Sequence, residues 1–166
     1  MLTTAELRER LGWPGVDEET NAEYRLVYLM VRPTRAGLSP IYFCLDEERS
    51  EMVQFGFGEW HYHPDDIDHA VETAQLLIRG ERCVVEERDV TDKYRGGGLY
   101  TAEGSPDTMG KEAVSLRRVF FDREPVVEAI DFGRYFRGQH IWLSHKKKAE
   151  IDRIHREAGM PLEEGW

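Results

Sequence analysis

The sequence predicts an α+β domain: a mainly antiparallel sheet of about six to seven strands, a central helix over residues 65–79 packed on one face, and short N- and C-terminal helices. Three observations lead there. Apolar residues alternate along 24–31 and again along 41–57, which is the period of a strand. From Asp65 the period lengthens to that of a helix. The balance of 40% hydrophobic against 33% charged residues in a chain of 166 is that of a globular protein with one core. A single domain spanning 1–166 is expected, because no repeat, low-complexity tract or linker divides the chain.

The elements follow in order. Thr3 and Glu6 stand at capping-box spacing, and Leu7 and Leu11 share a face, so a short helix is expected over 3–12, closed by Gly12 and Pro14. The run VDEETNAE reads as an acidic turn, and EYRLVYLMVR as a central strand because both of its faces are largely apolar. Residues 33–40 form a loop. IYFCLD and MVQFGFGEW, joined by the charged DEERSE, read as a β-hairpin that completes an antiparallel meander. In the central helix Ile67, Ala70, Val71, Ala74, Leu77 and Ile78 form one apolar stripe ending at Gly80. CVVEERDV reads as a strand, and residues 92–110, with Gly96 to Gly98, as an exposed loop. EAVSLRRVFFD and PVVEAIDF are expected to pair through a turn at Arg123–Glu124, and GQHIWLS to add a strand. Ser144 is placed to cap a final helix over 145–158, closed by Gly159 and Pro161.

Charge and cysteine content bound the function. The net charge is -10, from 32 acidic and 22 basic residues, so the surface repels phosphate backbones and suits a basic protein partner. Arg117, Arg118, Arg123, Arg134 and Arg137 make the C-terminal third locally basic, and Lys146 to Lys148 fall in the first turn of the final helix. Cys44 and Cys83 sit in apolar strands and are expected to be reduced, buried thiols. No stretch approaches the roughly 20 apolar residues that cross a bilayer, which leads to a cytoplasmic expectation with no membrane partner.

The stretch VQFGFGEWHYHPDDIDH, residues 53–69, carries the candidate sites. Read as one strand, it places Val53, Phe55, Phe57, Glu59, His61 and His63 on one face, and Gln54, Gly56, Gly58, Trp60 and Tyr62 on the other. Pro64 ends the strand, and Asp65 or Asp66 caps the helix. Trp60, Tyr62, Asp65, Asp66 and Asp68 then form an acidic, aromatic-lined surface. Such a surface suits a non-enzymatic protein that binds a basic protein partner without a cofactor, in an immunity-like or regulatory role. Small acidic bacterial proteins that neutralise basic toxins have this composition. The alternative is a metal-dependent hydrolase. His61 and His63, two apart on a strand, would hold zinc or another divalent transition metal, with Glu59 as third ligand or base. His69 falls off the apolar stripe and is expected to be solvated or paired with Asp65 or Glu72.

His61, Tyr62, His63 and Pro64 resemble part of the signature of the JAMM-type zinc metalloproteases, which cleave ubiquitin-like conjugates or sulfur-carrier fusions. The resemblance implies zinc on the two histidines, a glutamate base on an earlier strand, and a following Ser-x-x-Asp element. Val71 and Ala74 stand where that serine and aspartate are expected. No Gly-x-Ser-x-Gly elbow occurs, neither cysteine has a histidine near it in sequence, and the glycine run matches no phosphate-cradling fingerprint.

Overall fold

The computed structural model describes residues 1–48, 51–106, 110, 112–129, 152–153 and 155–159. Its elements are α1 (Thr4–Leu11), β1 (Val16–Asn21), β2 (Leu26–Val31), β3 (Ile41–Asp46), β4 (Met52–Phe57), β5 (Trp60–Tyr62), α2 (Ile67–Ile78), β6 (Arg82–Arg88), β7 (Tyr94–Thr101), β8 (Ser115–Val119) and β9 (Val126–Ala129). The class is the α+β expected, with antiparallel pairing and a central helix. The strands differ in number and grouping: nine among the described residues, in two sheets ordered β1-β2-β3-β4-β5 and β7-β6-β8-β9. Two compact units emerge, Met1–Cys83 with Phe120–Glu124, and Val84–Val119 with Pro125–Trp166.

In the first unit Thr3 caps α1 by accepting from the Glu6 N–H, Gly12 closes the helix, and Leu7 and Leu11 are buried. The acidic run after it is not a turn but the edge strand β1, paired along its length with β2. Its burial follows from position: Val16 faces the core, while Asp17, Glu18, Glu19 and Thr20 are exposed. Charged side chains are common on edge strands, where they discourage pairing with another chain. Arg32 bridges Asp17 and Glu19 at 2.5 and 2.6 Å.

The meander behaves as its alternation predicts. Val27, Leu29 and Val31 from β2, Ile41, Phe43 and Leu45 from β3, and Phe55 and Phe57 from β4 are all buried. Burying each such side chain contributes about 1.5–3 kcal/mol. A bulge between Cys44 and Leu45 pairs them with Gln54 and Met52, leaving Val53 outside the ladder and 36% exposed. Helix α2 starts and ends as expected, and Ala70, Val71, Ala74 and Leu77 are buried. Gln75 Nε2 donates to the Arg10 carbonyl at 2.8 Å, tying α2 to α1. The returning segment 120–124 completes the unit. Phe121 packs edge-on against Trp13 and Phe57, and the Asp122 carboxylate accepts from the Thr34 N–H and hydroxyl.

In the second unit β8 and β9 form the expected antiparallel pair. The glycine run, expected as a loop, lies instead in β7. A Cβ at Gly98 would stand 2.9 Å from the Tyr100 ring and one at Gly97 3.0 Å from the Val85 carbonyl, so close packing on this strand selects residues without side chains. Glu86 and Arg88 form a buried ion pair at 2.5 Å. Arg118 holds Glu128 at 2.7 Å and the Gly104 carbonyl at 2.6 Å. Both cysteines are buried thiols. Residues 152, 153 and 155–157 are helical, within the span expected for the final helix. The strand expected at 138–144, the Ser144 cap, Arg134, Arg137 and Lys146 to Lys148 lie outside the described residues. Among the described residues no helix is long and apolar enough to cross a membrane.

Candidate binding surface at the start of the central helix

Gly58 and Glu59 form a tight turn, so residues 52–62 are a hairpin and not one strand. Gly58 has φ 63°, a conformation that glycine adopts without strain and that two-residue hairpin turns require at their first central position. The ladder pairs Phe55 with Tyr62, Gly56 with His61 and Phe57 with Trp60. Directly paired residues project to the same side. Trp60 and Tyr62 therefore join Phe55 and Phe57 on the core face, and His61 joins Gly56 on the other. This corrects the single-strand reading, in which Trp60 and Tyr62 faced away from the phenylalanines.

The aromatic pair is half-buried. The Tyr62 ring lies 5.4 Å from Phe55 and 5.3 Å from Trp60, and its hydroxyl is 3.3 Å from Thr73 Oγ1 on α2. Its other neighbour is the exposed His69, 5.8 Å away. Burial pushes the Tyr62 phenol above its ordinary pKa, and the charges of Asp66 and Asp65 push it further, against the Thr73 hydrogen bond. The phenol stays neutral beside the carboxylates.

Three carboxylates open α2. Asp66 is the N-cap, accepting from the His69 N–H at 2.7 Å. Asp68 reaches Arg10 of α1 at 2.6 Å, and Asp65 is exposed. The fold brings Glu51 and Met52 to the same place, and with Asp65, Asp66, Ile67 and Asp68 they line an open hollow of about 500 Å³. Sequence reasoning missed Glu51, the last residue before β4, and Met52, the first residue of β4, which carry no local signal of their nearness to the helix.

The histidines are both exposed, with ring centroids 6.2 Å apart. His63 Nδ1 lies 2.7 Å from the Val53 carbonyl, which engages that nitrogen. Glu59 sits in the turn, out of the ladder, so the face expected to carry Glu59, His61 and His63 together is not formed. Among the described residues no group of three or more His, Cys, Asp or Glu side chains is arranged to hold a metal ion. The zinc reading thus gains no geometric support.

On the opposite face of the five-stranded sheet Tyr42 lies flat over Gly56, where a Cβ would stand 2.2 Å from its ring. Its hydroxyl accepts from Gln54 Nε2 at 3.0 Å. Burial raises the pKa of the Cys44 thiol despite its hydrogen bond with Tyr28, which disfavours the thiolate. No known protein family, curated protein or solved structure was found to match this chain.

Proposed function

We propose that this chain is a non-enzymatic binding protein that recognises a basic protein partner at the start of α2, in an immunity-like or regulatory role. The observation that carries this reading is the hollow itself: four exposed carboxylates, Glu51, Asp65, Asp66 and Asp68, around the half-buried Met52 and Ile67. Carboxylates steer a cationic surface toward the site, and the apolar floor accepts the aliphatic stem of a lysine or arginine. Tyr62, within reach of the charges of Asp66 and Asp65, offers rigid contact area, with Trp60 stacked next to it. The net charge of -10 adds long-range attraction that salt screens.

The test uses the whole chain immobilised against extract from its native cells. A basic protein should be retained at low salt, released at about 0.5 M salt, and lost from a variant carrying E51Q, D65N and D68N. Asp66 is left in place because it caps the helix. The exposed Arg10–Asp68 bridge is worth about 0–1 kcal/mol, so the variant should melt close to the wild type. A partner held equally by the variant, or held regardless of salt, would refute the assignment.

A further inference from the structure

A pocket of about 390 Å³ opens in the second unit, within the size range of small-molecule sites. The turn after β6 contributes Asp89, Val90 and Asp92, β8 contributes Ser115, and β9 contributes Val127. Near the C-terminus the helical Arg153 and the turn residue Ala158 also line it, and Arg153 Nη1 bonds both oxygens of Glu157 at 2.9 and 3.1 Å.

Two polar groups of this wall stand out. Ser115 is only 7% exposed, yet among the described residues its hydroxyl has no hydrogen-bond partner. Its Oγ is not sealed from solvent, so it can bond to whatever enters the pocket. The Asp92 carboxylate likewise has no ion-pair or hydrogen-bond partner among the described residues. The other charges are engaged. Asp89 accepts from Thr91, Lys93 and Arg95, and Glu157 is held by Arg153. Among the described lining residues this leaves the exposed Asp92 carboxylate, the Ser115 hydroxyl and the exposed apolar side chains of Val90, Val127 and Ala158.

We propose that this pocket binds an alkylammonium group, with the ammonium between the Asp92 carboxylate and Ser115 Oγ and the methylenes against Val90, Val127 and Ala158. An ammonium brings three donors and no acceptor, which matches two oxygen acceptors and suits no anion. The group could belong to a free amine or to a lysine side chain, and the two sources are separable.

The experiment follows backbone amide shifts of the whole chain during titration with n-butylamine, N-acetyl-lysine methylamide, n-butanol and butyrate. Either amine should move Asp92, Ser115 and Val127 saturably, and the tighter of the two names the source. D92N and S115A should each weaken binding about tenfold. Both variants should fold: Asp92 has φ 62°, which asparagine adopts readily, and S115A removes one atom. Equal shifts with butanol, unchanged binding in the two variants, or no saturable shift with either amine would overturn the proposal.

Discussion

The Asp89 carboxylate organises the turn between β6 and β7. Its Oδ1 accepts from the Thr91 hydroxyl at 2.7 Å, the Thr91 N–H at 2.8 Å and the Lys93 N–H at 3.0 Å, and Oδ2 takes Arg95 Nε at 2.7 Å. The Thr91 hydroxyl leads in holding this carboxyl far below the ordinary aspartate range, joined by Lys93, Arg95 and the Thr91 N–H and opposed by burial. Because the native pKa is depressed, the stabilisation is complete above the unfolded value of about 4 and is lost as pH falls toward the native one. D89N should therefore melt several degrees below wild type at neutral pH. The gap should narrow steadily in melting curves taken below about pH 4. A gap independent of pH would mean that the charge is not what holds the turn. Asp122 plays a similar part at Thr34, whose hydroxyl leads in lowering its pKa.

At the scale of elements, the β4–β5 hairpin decides what the candidate surface contains. Tyr42 rests on Gly56, so G56A forces the ring off the sheet and should destabilise by about 1–3 kcal/mol in denaturant unfolding. The same change made beside Y42S should do much less damage, and equal losses in both backgrounds would show that the ring contact is not responsible. The strand character of this stretch was legible from its aromatic alternation, but the turn was not, so two strands read as one. Gly58–Glu59 followed by further aromatics continues the apolar pattern, and a two-residue reversal flips parity without interrupting composition. The helix was legible almost to the residue, because Asp66 and Gly80 punctuate a clean stripe. Composition misread β1 and β7: acidic residues suit an exposed edge strand as well as a turn, and glycines can be kept by close tyrosine packing as well as by a loop.

Over the whole molecule, class and antiparallel pairing could be read from periodicity, whereas the division into two sheets depends on which strands meet, which no local pattern encodes. The candidate surface was half legible for the same reason: Asp65, Asp66 and Asp68 are local to one helix start, and Glu51 and Met52 arrive only through folding. The acidic edge strand carries one more consequence. A second copy approaching β1 would set Asp17, Glu18 and Glu19 against their own counterparts, with Arg32 offsetting only part of that charge. Like charges facing each other across new backbone hydrogen bonds are unfavourable, so the strand repels self-association while its carboxylates are ionised. Replacing the three by Asn, Gln and Gln should raise light scattering at neutral pH and low salt, and unchanged scattering would show that this edge is guarded by something other than its charge.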